Sequence, residues 1–448
     1  MRTNILVIGG GPAGIVVALT AKQRYPDKEV TVIRREKFVV VPCGIPYIFG
    51  TLRSVEKDKI PDEVLTKNNV NLVIDEVVDV DLKDKVAKLK SGDSVSFEKL
   101  VLATGSKPSI PPIKGADLKN VFPVYKDPEH LSEMLEAVNE CERITIIGGG
   151  FIGVEFADDL AKIGRKVTIV EILPHVLALS FDDEFCELAE KKLRELGVEL
   201  RTNARVVKIE GKDSVEEVVL DSGERIKSDM VILATGAKPN TDLAQKMGLK
   251  VGKYGIEVDE YMRTSHPDVF AVGDCAEKRD FFTRKPKPVM LASVATAEAR
   301  IAGANLYKIT AFRQMRGTLG IFATKVGDLA LGAAGLTERV AKQEGFDYVV
   351  GRSKVLDKHP GTLPDAREVY AKLIFTRHGG FFLGGQLAGG FTIGEMINLV
   401  GFAIESGYTA AEYMNLQIGT HPFLTPAPTA PATLKAAEDA LRKIYPKP

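Results

Sequence analysis

Two glycine-rich segments of the same form constrain the fold of this chain more than any other feature. They occupy residues 9–14 and 148–153, and both have the spacing G-x-G-x-x-G. Each follows a short apolar run, residues 5–8 or 144–147, and opens a stretch that is typical of a helix. This spacing gives a tight turn, a close approach of the backbone to a pyrophosphate, and a helix N-terminus that favours anions. One match is weak evidence, but two predict two bound dinucleotides and electron transfer between them.

A second repeated segment extends the duplication beyond the glycines. Residues 100–108 and 231–239 share the triplet Ala-Thr-Gly, and each is typical of a buried strand that ends in a glycine turn and a proline. Hairpin-like runs precede them at residues 72–90 and 199–226. Each half therefore predicts the order strand, fingerprint, helix, strand, meander and closing strand.

The remainder of the chain has a different pattern. Residues 269–274 form another apolar strand that ends in Gly-Asp, and an alanine-rich helix is predicted from about residue 291 to 306. After residue 310 the patterns predict a third domain of mixed sheet and helix. Its clearest elements are strands at 371–376 and 381–387, helices at 392–404 and 434–444, and a proline-rich connector at 425–431.

Composition excludes several function classes. Lys+Arg and Asp+Glu both number 60, and this zero net charge argues against nucleic acid or a membrane surface as a partner. The four cysteines lie far apart, which argues against a metal site and against a disulfide framework. No apolar run approaches the roughly 20 residues of a membrane span. We therefore expect a cytoplasmic protein without a metal.

In order and spacing these motifs resemble those of the flavin-dependent pyridine nucleotide–disulfide oxidoreductases, over essentially the whole chain. Residues 383–387 and 397–398 are similar to that family's dimerisation domain. The resemblance implies an α/β fold of two Rossmann-like, glutathione-reductase-like domains and a C-terminal α+β dimerisation domain, in a homodimer or higher homo-oligomer. The implied domains are an FAD-binding domain in two parts (1–115 and 241–310), an NAD(H)-binding domain (116–240) and the dimerisation domain (311–448).

The segment around Cys43 resembles the single-cysteine branch of that family, which holds coenzyme A disulfide reductases, NADH oxidases, NADH peroxidases and sulfur or polysulfide reductases. In the dithiol branch a second cysteine would stand at position 48, which is Ile48 here. No intramolecular disulfide can form at this site. We expect a turn into a helix at Cys43, where unpaired N–H groups would lower the pKa of the thiol.

The second fingerprint is predicted to bind the nicotinamide nucleotide. Glu171 ends the next strand, where a carboxylate accepts hydrogen bonds from a ribose 2′-OH and repels a 2′-phosphate. This favours NADH, with NADPH left as the alternative. The resemblance adds the other residues of this site: Gly148, Gly150, Phe151, Ile152, Gly153, Glu155 and Gly236.

The first fingerprint is predicted to bind FAD, but it departs from the usual pattern. Arg34 stands where a carboxylate is expected, so either Glu36 reaches the adenosine ribose or Arg34 packs against it. Asp274 resembles the family's carboxylate on the ribityl and phosphate side, and the helix near residue 291 would favour the reduced, anionic flavin. The resemblance adds these FAD contacts: Gly9, Gly11, Pro12, Ala13, Gly14, Pro42, Val77, Ala103, Thr104, Gly105 and Ala292.

The resemblance implies a cycle that ends at Cys43. NADH reduces the flavin, the flavin reduces an oxidised sulfur on Cys43, and the thiolate attacks the next disulfide or polysulfide. Candidate proton donors are His421, which resembles a His-Pro of dithiol members, His359, which stands where coenzyme A disulfide reductases carry tyrosine, and Tyr47. Lys22 and Arg24 are candidate contacts for coenzyme A, which is a polyanion. Because His359 stands in place of the tyrosine of coenzyme A disulfide reductases, the binding of coenzyme A is left open.

Two other functions remain open from the residues. One is an NADH oxidase, in which the reduced flavin and a Cys43 sulfenate reduce O₂ to H₂O₂ or water. The other is an NADH-dependent reductase of a small redox protein of the rubredoxin or ferredoxin type, against which Cys43 and the long third domain argue. An NADH peroxidase is disfavoured because Pro12 stands where its histidine is expected.

Overall fold

The computed structural model describes residues 1–311 and 317–446 as two compact units. The first unit comprises Met1–Glu142, Gly211–Glu216 and Asp229–Thr318, and the second comprises Arg143–Glu210, Glu217–Ser228 and Leu319–Pro448. Residues 312–316, at the start of the predicted third domain, and residues 447–448 lie outside the described part. The predicted domain boundaries stay a prediction. Within the described residues no helix is long and apolar enough to cross a membrane.

The first unit is built on a parallel sheet of five strands. In spatial order these are Val269–Ala271, Lys99–Leu102, Ile5–Ile8, Val30–Arg34 and Asn71–Ile74. Side chains alternate across the sheet, so that Ile5 and Val7 enter one apolar core while Leu6 and Ile8 enter another. Four of the strands are almost entirely buried on both faces, as is typical of parallel sheets, whereas the edge strand Asn71–Ile74 is partly exposed.

Helices, small antiparallel sheets and one parallel pair of strands, Val121–Pro123 with Met230–Leu233, accompany this sheet. The helices are Pro12–Arg24, Glu63–Thr66, Pro128–Glu140, Asp242–Lys246 and Ala292–Ala304, and the first and last of these pack against each other. The smaller sheets pair Val77–Asp81, Val86–Leu89 and Ser94–Ser96, then Val39–Val40 with Lys59–Ile60, Ser106–Pro108 with Ala237–Pro239, Val121–Pro123 with Met230–Leu233, Val251–Gly252 with Gly255–Ile256, and Lys278–Arg279 with Pro286–Lys287.

The second unit contains the second fingerprint and the C-terminal sheet. Three parallel strands, Arg143–Ile147, Lys166–Val170 and Glu199–Arg201, are accompanied by helices Phe151–Lys162 and Asp183–Glu195. An antiparallel meander follows in strands Val206–Glu210, Glu217–Leu220 and Arg225–Lys227.

The C-terminal sheet has five antiparallel strands, in the order Ile321–Val326, Leu329–Gly335, Phe382–Gly389, Glu368–Thr376 and Tyr348–Leu356. Helices Glu338–Gln343, Ile393–Glu405, Ala410–Met414 and Ala432–Ile444 accompany it.

These elements confirm the sequence-based expectations within a few residues. The alanine-rich helix spans Ala292–Ala304, and the two C-terminal helices span Ile393–Glu405 and Ala432–Ile444. The third region is a mixed sheet and helix, as predicted. The helix expected after Cys43 is wrong, because only one 3₁₀ turn, Ile45–Ile48, forms there. Pro46 lacks an N–H and Gly50 follows closely, so little sequence remains to propagate a helix.

Candidate active site

The first fingerprint has a separate role for each glycine. Gly9 has φ +114°, and a Cβ there would lie 2.1 Å from the carbonyl oxygen of Ala103. A Cβ on Gly14 would lie 1.9 Å from the oxygen of Gly9, so both residues must lack a side chain for the helix to pack on the strand. A Cβ on Gly11, the N-cap of helix Pro12–Arg24, would meet nothing within 4 Å. The turn therefore leaves open space at a helix N-terminus, which fits an anionic pyrophosphate.

The second fingerprint repeats this geometry. Gly148 has φ +109°, and a Cβ on Gly153 would lie 2.0 Å from the oxygen of Gly148. A Cβ on Gly150 would meet nothing within 4 Å, and Gly150 is the N-cap of helix Phe151–Lys162. The two turns thus share a positive φ at the first glycine, open space at the helix N-cap, and a close helix–strand contact at the last glycine. Both fit the phosphates of a dinucleotide.

Glu171 lies against the second fingerprint. Its carboxylate is buried and accepts hydrogen bonds from the N–H of Gly149 at 2.6 Å and from the N–H of Leu173 at 2.8 Å. A Cβ on Gly149 would approach the same carboxylate to 3.1 Å. The backbone therefore holds the negative charge at the strand end where a nucleotide ribose is expected.

Two side chains of helix Phe151–Lys162, those of Glu155 and Phe151, contact other residues of the second unit. Burial raises the pKa of Glu155 to about 7, opposed by a hydrogen bond from the hydroxyl of Thr324 at 2.8 Å. Phe151 packs edge-on against Phe322, with ring centroids 5.0 Å apart, while Ile152 is exposed.

In the first unit, Arg34 rather than Glu36 contacts the fingerprint. The Arg34 guanidinium is buried and forms two hydrogen bonds to the carboxylate of Asp62, at 2.7 and 2.8 Å. A Cβ on Gly10 would lie 2.6 Å from the Arg34 stem, whereas Glu36 pairs with Arg35 at 2.8 Å. Of the two alternatives, the described contacts favour packing of Arg34.

Asp274 follows a glycine that touches the first fingerprint. Gly273 has φ +76°, and a Cβ there would lie 2.9 Å from the Cβ of Ala13. The Asp274 carboxylate accepts hydrogen bonds from the ammonium of Lys126 and the hydroxyl of Ser106, both at 2.8 Å. Burial by itself would raise the pKa of Asp274, but these partners hold it below its usual range. Sequence patterns missed Lys126, which lies far from Asp274 along the chain.

A buried ion pair supports the same turn. Glu298 accepts a hydrogen bond from the N–H of Gly273 at 2.9 Å and lies 3.2 Å from the ammonium of Lys278, and both side chains are almost fully buried. Lys278 also donates to the carbonyls of Gly273 and Ala276. The turn that carries Asp274 is therefore fixed from below.

The two Ala-Thr-Gly turns lie in the first unit and are joined there. Strand Ser106–Pro108 pairs antiparallel with Ala237–Pro239, and the hydroxyl of Thr104 donates to the carbonyl of Asn240 at 2.7 Å. Gly105 and Gly236 both have positive φ. The other residues predicted to contact FAD lie in this unit, at strand ends and helix starts: Pro12, Ala13, Pro42, Val77, Ala103 and Ala292.

Cys43 is exposed, whereas Cys141, Cys186 and Cys275 are buried. Backbone hydrogen bonds define its turn, from the N–H of Gly44 to the carbonyl of Val41 at 2.8 Å and from the N–H of Tyr47 to the carbonyl of Gly44 at 2.9 Å. The four-residue 3₁₀ turn provides no helix dipole of useful length. The expectation that a helix dipole would help to lower the pKa of the Cys43 thiol is therefore wrong.

The two candidate histidines lie in loops joined through Thr425 in the second unit. The Nδ1 atom of His359 is 3.0 Å from the carbonyl oxygen of Thr425. A carbonyl oxygen only accepts hydrogen bonds, so Nδ1 carries the proton of the neutral ring, and Nε2 is the nitrogen that can accept one. In His421, Nδ1 accepts a hydrogen bond from the N–H of Phe423 at 3.3 Å, which selects the opposite tautomer. No sequence pattern predicted that the loops of His359 and His421 meet at Thr425.

The candidate coenzyme A contacts lie at the end of the first fingerprint helix. The Lys22 ammonium donates to the carbonyls of Pro26 and Lys28, at 3.0 and 2.9 Å, and so closes the helix end. Arg24 is exposed. Their role in binding stays a prediction. Among the described residues, no group of three or more His, Cys, Asp or Glu side chains could hold a metal ion.

Comparison with known proteins bears on this geometry. A family model described as pyridine nucleotide-disulphide oxidoreductase matches residues 3–299, and the dimerisation-domain model of that family matches residues 321–432. An NADH oxidase of Methanocaldococcus jannaschii is 36% identical over 98% of this chain and 99% of its own length. An NAD(P)H coenzyme A polysulfide/persulfide reductase of Pyrococcus horikoshii is 36% identical over 87% of this chain and 88% of its own. The solved structure of an NAD-dependent persulfide reductase from A. fulgidus has a TM-score of 0.91 and 31% identity, covering 99% of this chain and 83% of that one.

Proposed function

Because this chain belongs to the pyridine nucleotide-disulphide oxidoreductase family, whose members use NAD(P)H and flavin, we propose that it reduces sulfur–sulfur bonds of small molecules at Cys43. The proposed acceptors are coenzyme A disulfide, polysulfide or a related disulfide, with NADH as donor and FAD as flavin. The observation that carries the proposal is that Cys43 is the exposed cysteine of the described residues and lies in the same unit as Asp274 and the first fingerprint. The names of the Pyrococcus and A. fulgidus relatives support it.

We assign FAD to the first fingerprint and NADH to the second. The open space at Gly11 and the carboxylate of Asp274 suit the flavin nucleotide, and the open space at Gly150 and the carboxylate of Glu171 suit NADH. When bound, the flavin accepts two electrons from the reduced nicotinamide and makes them available to sulfur. The Glu171 carboxylate would repel the 2′-phosphate of NADPH.

The protein's own chemistry begins with the Cys43 thiolate. The thiolate attacks one sulfur of the substrate, a mixed disulfide forms, and the other sulfur leaves as a thiolate that needs a proton. Reduction of the mixed disulfide by two electrons then frees Cys43 and releases the second half of the substrate. The net reaction oxidises one NADH, cleaves one S–S bond, and consumes one proton in addition to the hydrogen of NADH.

We propose His359 rather than His421 as the proton donor. His359 holds its Nδ1 proton on the carbonyl of Thr425, so Nε2 can gain and lose a proton without breaking that bond. His421 would have to give up the hydrogen bond from Phe423 to become an imidazolium. Tyr47, inside the 3₁₀ turn Ile45–Ile48, stays a candidate of lower rank. The dimerisation-domain match supports a homodimer, and a cytoplasmic location stays a prediction.

An anaerobic NADH titration tests the proposal. Wild type in which Cys43 has first been converted to a mixed disulfide, by incubation with excess disulfide and its removal, should take up more than two electrons per flavin, because the mixed disulfide accepts two in addition to those of the flavin, whereas Cys43→Ser treated in the same way should take up two. Turnover with coenzyme A disulfide and with polysulfide should fall at least 100-fold in the variant. Equal electron uptake in both proteins, or full disulfide-reductase turnover without Cys43, would refute the proposal.

A second candidate is an NADH oxidase, favoured by the M. jannaschii relative, which matches over nearly the whole of both chains. Here electrons from NADH would reduce oxygen to peroxide, and the Cys43 thiolate would reduce the peroxide to water, becoming a sulfenate that a second NADH returns to the thiolate. Rates with oxygen and with polysulfide, measured on the same preparation, separate the two functions. A kcat/KM for oxygen above that for every sulfur acceptor would favour the oxidase.

A further inference from the structure

Asp58 lies beneath the turn that carries Cys43. Strand Val39–Val40 pairs with Lys59–Ile60, and the N–H of Val41 donates to the carbonyl of Asp58 at 2.8 Å. The first residue of the Cys43 turn, Val41, and the last residue of the next 3₁₀ helix, Glu56–Asp58, are thus joined. The short helices on either side of this link also pack against each other.

The side chain of Asp58 contacts the residue next to Cys43. A Cβ on Gly44 would lie 1.9 Å from Oδ1 of Asp58, so the carboxyl group occupies the space where a side chain at position 44 would be. Asp58 is only 6% exposed. Consecutive Cα atoms lie about 3.8 Å apart. The backbone of Cys43 is therefore one residue away from a buried carboxyl group.

This carboxyl group is incompletely satisfied. Within the described residues its Oδ2 is buried and has no hydrogen-bond partner. A buried, unpaired carboxylate oxygen is costly, and nearby charge then matters more than it does in water. Burial raises the pKa of Asp58 to about 6, with the N–H of Val41 opposing.

Among the described residues, the turn packed against Asp58 carries two titratable side chains. Cys43 and Tyr47 are the titratable side chains on the turn packed against it, and the paired strand Val39–Val40 has none. Its own neighbours Glu56, Lys57 and Lys59 are exposed. Of these titratable side chains, that of Cys43 is adjacent in sequence to Gly44, the residue that Asp58 contacts.

We propose that Asp58 is a positioning residue for Cys43, whose carboxyl group supports the turn at Gly44 and whose charge sets the pH dependence of the thiol's reactivity. The ionised carboxylate disfavours a thiolate one residue away, and the neutral acid removes that penalty. The two groups therefore titrate as a coupled pair, and the proton on Asp58 keeps Cys43 nucleophilic as the pH falls. The proposal rests on Cys43 being the reactive thiol of the proposed function.

The rate of alkylation by iodoacetamide tests this coupling without turnover. Wild type, Asp58→Asn and Glu56→Gln are compared from pH 5 to 9.5 after reduction and removal of the reductant, with Cys43→Ser as the blank. Asparagine keeps the shape of Asp58 and removes its charge, and Glu56→Gln makes the same charge change on an exposed neighbour. We expect the alkylation midpoint of Asp58→Asn to fall by about half a pH unit or more, which makes it about threefold faster between about pH 6 and the midpoint, while the two rates converge below about pH 6, where Asp58 is neutral in wild type.

Wild type should also show a slope of log rate against pH below one near pH 6, and Asp58→Asn should show a slope of one. Identical profiles for wild type and Asp58→Asn, or an equal shift in Glu56→Gln, would overturn the proposal. If the pH profile of alkylation shifted in Asp58→Ala but not in Asp58→Asn, the role of Asp58 would be packing alone, and the proposal would be overturned. Were Asp58→Asn not to fold, a unit slope in wild type from pH 5 to 7 would be decisive against the coupling. Disulfide turnover of Cys43→Ser tests the proposed function separately.

Discussion

The second fingerprint offers a matched pair of substitutions that separates folding from nucleotide binding. In Gly153→Ala the new methyl group would lie 2.0 Å from the carbonyl oxygen of Gly148. Ordinary van der Waals contact begins at 3.4 Å, so relieving a 2.0 Å approach requires helix and strand to move apart by about 1.4 Å. Overpacking of this kind costs about 1–3 kcal/mol or more. For a chain of this size we expect the thermal midpoint to fall by about 5–10 °C.

The opposite result is expected for Gly150→Ala. Its methyl group meets no protein atom within 4 Å, and Gly150 has φ −73°, which alanine adopts without strain. The loss of a favourable N-cap glycine and the smaller entropy of the unfolded chain offset each other, so the free energy of unfolding should change by about 1 kcal/mol or less. The methyl group would instead fill the space proposed for the pyrophosphate. We expect the Kd for ADP-ribose to rise about 10–100-fold, or about 1.4–2.8 kcal/mol.

Calorimetric unfolding and isothermal titration with ADP-ribose measure both quantities on the same preparations, and ADP-ribose does not reduce the flavin. Wild-type affinity in Gly150→Ala would refute the assignment of the open space to the nucleotide. Wild-type stability in Gly153→Ala would refute the packing argument itself.

Three further outcomes follow from the described contacts. Lys126→Met removes the main partner of Asp274. The lowered pKa of Asp274 stabilises the folded state at pH values above the ordinary pKa of a carboxyl group, and this stabilisation is lost as the pH falls through the lowered pKa. Flavin release during acidification, measured by flavin fluorescence, should therefore begin at a higher pH in the variant than in wild type. His359→Gln should lower kcat with disulfide by about 10–100-fold and His421→Gln by less than about threefold, in steady-state assays, and the reverse order would reject the choice of His359. The raised pKa of Glu155, about 7, means that its charged form is penalised in the folded state, so the thermal midpoint of wild type relative to Glu155→Gln should fall between pH 5 and pH 8, and a constant difference would contradict this.

The parts of the fold that could be predicted are those that local sequence determines. The glycines at 9, 14 and 153 meet backbone atoms within their own strand–turn–helix units or the adjacent strand, so spacing alone identifies them. The Ala-Thr-Gly strands and the C-terminal helices have strong hydrophobic patterns. The helix expected after Cys43 does not form, because the segment contains Pro46 and is followed by Gly50, and both residues disfavour propagation of a helix.

The parts that could not be predicted depend on contacts between distant segments. Lys126 reaches Asp274 across 148 residues, and His359 reaches Thr425 across 66. Asp58 gave no signal either, since its place under Gly44 follows from the pairing of two two-residue strands. Short polar segments have no periodicity from which such pairing could be read.

The duplicated halves use one packing position for opposite charges. At the end of the second strand of each half stands a side chain that lies against the second glycine of the fingerprint. A Cβ on Gly10 would meet Arg34, and a Cβ on Gly149 would meet Glu171. Arg34 is paired with Asp62, whereas the hydrogen bonds that Glu171 accepts from the described residues come from backbone N–H groups. Under the proposed assignment, the second turn would therefore select NADH over NADPH, because a carboxylate repels a 2′-phosphate, and the first turn would apply no such selection.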